Sequence, residues 1–440
     1  MKEITDQLKG YTAALSLHVP GHHRHTIGSL HLPVEHDMTE ITGLDDYHHA
    51  EDVIAKSELI LSRHADYRAR YLVNGTTTGI LSVILAHKKL STKRVAMMRN
   101  VHKSVLNALD LTGTEAVILP MTVSDKTNQY DGIDFDQLHI NMLKKIDLVV
   151  LTYPNYFGEI FNIKEAIEWF HAHDIEVLVD EAHGAHFDIT DSFPSSSIKY
   201  AGDYIVQSYH KTLPALTMGS VIHMKKQSKL VEEVYYYLSV LQTSSPSYLI
   251  LSSLEQAHDF YLHYHDAVFL SQRSELIAGL KQTFDVIEVG DPLKLVIRKQ
   301  GFTGEEIKAL IEREQIFVEL STYDSVLLVL PLWHAGDTYP FKELVKRIER
   351  ITVPERTSVF QSLILNQADG SYKPVTGQFK AVQLKEGVGC RVYHALTPYP
   401  PGIPYVLPGE VLTAGHIKVL ETFENVHGII DGNINIIDEG

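Results

Sequence analysis

IDLVVLTYPNYFGEIFNIKEAIEWFHAHDIEVLVDEAHGAH, residues 146–186, decides the fold class. Its first apolar run, Leu148 to Thr152, has the length of a strand. A segment with helical spacing follows from Ile163 to His173. A second apolar run, Glu176 to Asp180, ends on a carboxylate. Two short apolar strands separated by a helix form a βαβ unit, whose parallel strands need helices on both faces. The same alternation extends outward. On the amino-terminal side, strands are predicted at Arg70–Val73, Arg94–Met98 and Ala116–Leu119. Helices are predicted at Ile80–Leu90, Lys103–Leu111 and Phe135–Leu143. On the carboxyl-terminal side another strand falls at Tyr204–Gln207. The expectation is an α/β fold with a mainly parallel sheet.

The flanks have a different character. The first 45 residues are rich in Gly, Pro and His and read as an irregular arm, followed by a helix over about 50–65. A long helical stretch is predicted from Ser247 to about Gln282. Strands are then expected at Val286–Val289, Leu293–Arg298, Ile316–Leu320 and Ser325–Val329. Helices accompany them at Gly304–Glu314, with Thr303 as N-cap, and at Pro340–Ile351. After about 357, Pro and Gly accumulate. Three units follow from this: an arm and large domain over 1–283, a small α+β domain over 284–355, and a C-terminal α+β module over 356–440.

Composition bounds the function. The 440 residues hold 39 Lys+Arg and 55 Asp+Glu, a formal net charge of −16. That surplus argues against a nucleic-acid or anionic-membrane partner and suits a cationic small molecule. The single cysteine, Cys390, excludes an intrachain disulfide and fits a reducing compartment. The first residues have no apolar signal region, and no apolar run reaches the ~18 residues that span a bilayer. A cytoplasmic protein is expected.

Four patches carry chemistry. In NGTTTG (74–79) a turn after a strand opens a helix, which makes either an anion site or a plain threonine-capped turn. Asp180, at a strand's carboxyl end, can meet a cationic ligand nitrogen or cap a helix. Lys211, in VQSYHKTLPALTMGS (206–220), is either an imine-forming amine of lowered pKa or a solvated loop lysine. His102, in MRNVHKS (98–104), can stack on a flat ligand or cap a helix. A phosphate cradle, a ring-facing histidine, a strand-end aspartate and a lysine, in that order along one sheet, suit pyridoxal 5′-phosphate (PLP). The frequent histidines raise a metal reading, but His183-x-x-His186 lacks the helical HExxH setting and no cysteines accompany it. No metal is expected.

HVPGHHR (18–24), TEITGLDDYHH (39–49), YLVNGTTTGI (71–80), MRNVHKSVLNAL (98–109), DEAHGAHF (180–187), QSYHKTLPALT (207–217), QTSSPSYL (242–249) and PYPPGIPYVLPGE (398–410) together give the chain its resemblance to a family. It resembles the ornithine/lysine/arginine decarboxylases, fold-type I PLP enzymes with an aspartate-aminotransferase-like large domain. The match is to the shorter bacterial members without a wing domain. The resemblance implies that Lys211 binds the coenzyme covalently, Asp180 pairs with its ring nitrogen and His102 stacks on its ring. Thr76 and Thr77 hold the phosphate, Ser208 and His210 add donors to it, and His183 sits beside the ring. It further implies decarboxylation of ornithine, lysine or arginine to an amine, at a site formed in a homodimer or larger homo-oligomer. Another PLP reaction, such as transamination or a lyase step, and a PLP-binding protein of little activity are the alternatives. Asp45, Asp46 and Glu410 are the acidic candidates for the distal amine.

The chain departs from the family's pattern at HHRHTIG (22–28), at Tyr47–Asp52, at SRHADYRARYLV (62–73) and at Tyr209, where a small Thr is usual. These departures are expected to fall around the substrate entrance.

Overall fold

The computed structural model describes residues 15–17, 44–90, 94–356, 370–399, 402–423 and 425–438. The expected arm therefore lies largely outside the described residues. The large sheet and its helices comprise β1 (Tyr67–Leu72), α1 (Gly75–Lys88), β2 (Arg94–Met97), α2 (Lys103–Thr112), β3 (Glu115–Ile118), β4 (Ile146–Thr152), α3 (Ile163–His171), β5 (Glu176–Asp180), β6 (Tyr204–Gln207) and β7 (Ser220–Lys225). Its strand order is Ser371–Tyr372, β3, β2, β4, β5, β6, β7, β1. The five strands from β3 to β6 are mutually parallel, while β7 runs antiparallel to both β6 and β1. The expected α/β class with a mainly parallel sheet is what the chain adopts.

The apolar runs explain this arrangement. Every residue of β5 and of β6 is buried, as a strand covered on both faces requires. Val177, Leu178 and Val179 each contribute about 1.5–3 kcal/mol by leaving water. Helix α3 covers one face with Ile163, Ala166, Ile167 and Phe170, and Asn162 caps it by accepting from the Glu165 N–H.

A second unit carries an antiparallel sheet in the order Asp285–Glu288, Lys294–Arg298, Val326–Val329, Leu320–Ser321. Its helix Gly304–Arg313 begins in a capping box of Thr303 and Glu306. Leu15–Leu17 of the arm pairs in parallel with Ile316–Val318 of this unit. A third unit pairs Phe379–Gln383, Asn433–Ile437 and Ile429–Ile430 around its own core, which includes Val392, Val406, Leu412 and Ile434.

Two predicted helices are corrected. Phe135–Leu143 forms only a turn and the short 3₁₀ segment Ile140–Leu143. The Asp134 carboxylate accepts from the Asp136 and Gln137 N–H groups, which favours a turn over a helix, and Lys145 adopts φ +62°. The long stretch 247–282 is two helices, Tyr248–His263 and Ala267–Leu280. The break is at Tyr264, whose backbone is extended and whose hydroxyl donates to the Trp333 carbonyl at 3.1 Å. Strand β7 and the helix Val231–Leu241 were not anticipated.

Candidate active site

The chemistry-bearing residues of the sequence gather beyond the carboxyl ends of the parallel strands and of β1, where open α/β sheets place their ligands. Asp180 is the last residue of β5, with Thr152 of β4 opposite it. Lys211 follows β6 in a short helical turn, Tyr209–Thr212. Its Nζ lies 3.1 Å from His183 Nε2. Burial lowers the Lys211 pKa, although Asp180 and Glu319 pull it upward. Burial also holds His183 well below its usual range, and the Lys211 charge adds to this, which favours the neutral imidazole. Burial raises Asp180 above the ordinary carboxylate range against the opposing influence of Lys211 and the Ala182 N–H.

Thr76 and Ser208 meet although they stand far apart in sequence. Their hydroxyl oxygens are 3.2 Å apart and both residues are buried. Thr76 lies in the first turn of α1, and the turn leading into it needs Gly75 at φ +78°. Thr77 is exposed at the same helix start. His210 turns its Nδ1 to the Gly219 carbonyl at 3.0 Å, a direction the sequence did not anticipate.

His102 takes the capping role left open by its sequence. It is the N-cap of α2, with Nδ1 accepting from the Ser104 N–H at 3.2 Å. Burial, then Lys211 and Lys103, push its pKa down to about 3. Gly402 of the third unit comes close to it: a Cβ there would stand 3.2 Å from His102 Nε2.

His183 and His186 go separate ways, since His186 Nε2 lies 2.9 Å from Asp291. Among the described residues no group of three or more His, Cys, Asp or Glu side chains is placed to hold a metal. His22 and His23 lie outside the described residues. The acidic candidates are engaged locally. Asp45 accepts from the N–H groups of Glu51, Asp52 and Ile54, and Asp46 from that of His48. Glu410 accepts from the Leu407 N–H and stands 3.5 Å from Arg99.

Of the departures from the family's pattern, Tyr47 and Tyr209 are buried and Arg63 is half-buried. Tyr47 donates to the Tyr71 carbonyl at 2.6 Å, and Arg63 bonds the Tyr209 hydroxyl and the carbonyls of Ala185 and Phe187. The HHRHTIG segment lies outside the described residues.

Sequence reasoning missed Tyr156, Lys294 and Glu319. The Tyr156 ring packs on the His183 ring, with centroids 4.3 Å apart, and its hydroxyl donates to the Glu319 carboxylate. The loop after β4 is itself a strand end, a signal that pointed to Tyr156. A lysine inside the apolar run LKLVIR was the signal for Lys294.

The donor set fits PLP. His183 Nδ1 is buried without a hydrogen-bond partner among the described residues. The Asp180 carboxylate, raised by burial, would be drawn back to its charged form by a cationic ring nitrogen. The Thr76 and Ser208 hydroxyls at the start of a long helix match a phosphate, and a lysine of lowered pKa matches an aldehyde.

Fold and site together define a fold-type I PLP-dependent enzyme. The model of the "Orn/Lys/Arg decarboxylase, major domain" matches residues 12–296, and that of the "Orn/Lys/Arg decarboxylase, C-terminal domain" matches 352–431. The chain is 36% identical to the uncharacterized protein YaaO of Bacillus subtilis (strain 168), over 96% of this chain and 93% of that protein. It is 28% identical to the arginine decarboxylase of Halalkalibacterium halodurans, over 92% of this chain and 89% of that one. It superposes on the E. coli constitutive lysine decarboxylase with a TM-score of 0.66 at 17% identity, covering 87% of this chain and 72% of that one. The chain belongs to the Orn/Lys/Arg decarboxylase family, whose members are PLP-dependent amino acid decarboxylases.

No helix among the described residues is long and apolar enough to cross a membrane.

Proposed function

We propose that this chain removes the α-carboxylate of a basic amino acid, ornithine, lysine or arginine, with PLP held between Thr76 and Lys211. The observation that carries the reading is the 3.1 Å contact of Lys211 Nζ with His183 Nε2 in a buried site that also holds Asp180. When bound, PLP supplies an electron sink for the pair of electrons left at Cα as CO2 departs. The protein's own residues make that sink usable. Asp180 holds a proton on the ring nitrogen. Thr76 and Ser208, with the exposed Thr77 and with His210 nearby, anchor the phosphate. His102 would face the ring, in an orientation fixed by its cap contact with Ser104. His183 holds the Lys211 nitrogen in place. Lys211 would hold the coenzyme through its amine, and that amine would move a proton at the substrate Cα.

The described surface supports a homodimer as part of this reading, because Leu59 and Ile60 on the helix Val53–Leu61 are 76% and 64% exposed. The acidic balance of the chain suits a cationic substrate.

The test is a panel of amino acids with product identification. An amine and CO2 from a basic amino acid are expected, with no keto acid. Borohydride reduction should bleach the visible band and fix the coenzyme to Lys211. Keto-acid products, or fixation at another lysine, would overturn the reading.

A further inference from the structure

Lys294 opens the strand Lys294–Arg298 in the second unit and is completely buried. Its ammonium donates to the Tyr156 carbonyl at 2.7 Å and lies 5.6 Å from the centroid of the Tyr156 ring. Its stem is tightly held, since a Cβ on Gly158 would stand 2.9 Å from Lys294 Cδ. Glu319, 8% exposed, accepts from the hydroxyl of the same tyrosine. The Tyr156 ring packs on His183, and His183 Nε2 is 3.1 Å from Lys211 Nζ. A cation and an anion from the second unit thus sit at the two ends of one tyrosine, whose ring supports the histidine of Lys211.

A tie between two units needs no charge, and burying an ammonium costs several kcal/mol that a packed methionine avoids. We propose that Lys294 and Glu319 are positioning residues of opposite sign that set the proton affinity of the Lys211 nitrogen across Tyr156 and His183. The inference rests on the reading of Lys211 as the coenzyme's lysine. The groups that face the two lysines are few. Lys211 feels Asp180, His183, His102 and Glu319, and Lys294 feels Asp291, Glu319, His183 and Lys211. Asp291 is further engaged by His186. Burial pushes Lys294 down to about 8 against Asp291 and Glu319, so the residue still carries charge at neutral pH. Like charge lowers the affinity of a neighbouring nitrogen for a proton, and opposite charge raises it. A deprotonated Lys211 is the form that attacks a carbonyl.

The test uses the full-length chain loaded with PLP. The visible absorbance is titrated with pH in the wild type, Lys294→Met, Lys294→Arg and Glu319→Gln. In parallel, the rate at which the coenzyme-free chain takes up PLP is measured against pH. The Lys294→Met midpoints should rise and the Glu319→Gln midpoints should fall, each by about half a pH unit or more. Lys294→Arg, which keeps the charge, should stay near the wild type. Loss of packing cannot move the two variants in opposite directions. Gln at 319 keeps the shape and the acceptor for Tyr156, so this arm stands even if Lys294→Met fails to fold. Midpoints that coincide with the wild type, or that move together, overturn the proposal. Absence of any visible band in the wild type would instead defeat the reading of Lys211 itself.

Discussion

The Arg63 guanidinium lies 3.1 Å from the Tyr209 hydroxyl and 3.8 Å above the Tyr261 ring centroid. Both Arg63 and Tyr209 depart from the pattern of the family the chain resembles, and the fold brings them together. The guanidinium also donates to the Ala185 carbonyl at 2.7 Å and the Phe187 carbonyl at 3.3 Å. It therefore ties the segment after Asp180 to the turn that carries Lys211. Tyr209 is fully buried and its hydroxyl meets His258 Nδ1 at 3.2 Å. Tyr209→Phe should cost about 1–2 kcal/mol, because it leaves Arg63 and His258 short of a partner. Tyr209→Thr, the small residue usual in the family, should cost about 2–4 kcal/mol by opening a cavity. Urea unfolding measures both, and a Thr variant as stable as the wild type would show that the ring is not part of the core.

Asp180 carries the second prediction. Asp180→Asn keeps the shape but holds no charge opposite the ring nitrogen. Turnover should fall by about 100-fold or more, on the order of 2.7 kcal/mol in the barrier, while coenzyme remains bound. Steady-state kinetics beside the visible band separates the two effects. Near-normal turnover would exclude Asp180 as the partner of the ring nitrogen.

The Thr76 and Ser208 hydroxyls, 3.2 Å apart, should act on one group. Each Ala variant should weaken PLP binding about 5–10-fold, near 1 kcal/mol per hydrogen bond. Because the two side chains touch, the double variant should fall short of the product of the single effects. Equilibrium titration of the coenzyme-free chain reads all three. Unchanged affinity in both single variants would place the phosphate elsewhere.

The pH dependence of stability gives a fourth check. His102 has its pKa pushed down to about 3 by burial first, from an ordinary value near 6.5. Between those values the unfolded chain binds the extra proton and the folded chain does not. The contribution of His102 to stability is therefore complete above about pH 6.5 and declines as the pH falls toward 3. His102→Asn keeps a good N-cap and cannot titrate. In the coenzyme-free chain, the wild type should lose more stability than this variant between neutral pH and pH 5. Equal losses in paired unfolding curves at the two pH values would refute the burial effect.

How much of this could be read before folding depends on the range of the interaction. The alternation from β2 to β6 was legible because apolar period and strand length are local, and Glu176–Asp180 and Tyr204–Gln207 fall at their expected positions. Thr303 was legible as a cap for the same reason. The helix predicted at Phe135–Leu143 failed because Asp134 offered the backbone a competing set of hydrogen bonds. The single long helix failed because Tyr264 is held by Trp333, a contact between residues distant in sequence. Tyr209 and the segment holding Arg63 were each visible as anomalies, but the contact between them was not.

By itself the sequence determined the kinds of group available and their order: a threonine-rich helix start, a histidine, a strand-end aspartate and a lysine, each placed by local rules on a strand edge. The tertiary structure alone decided which of them touch. It joined Thr76 to Ser208, turned His183 to Lys211 and His186 to Asp291, and brought Lys294 and Glu319 from another unit to Tyr156. The physical reason is that protonation and orientation depend on distances of a few ångströms and on exclusion of water. Those quantities are set by packing between segments far apart along the chain.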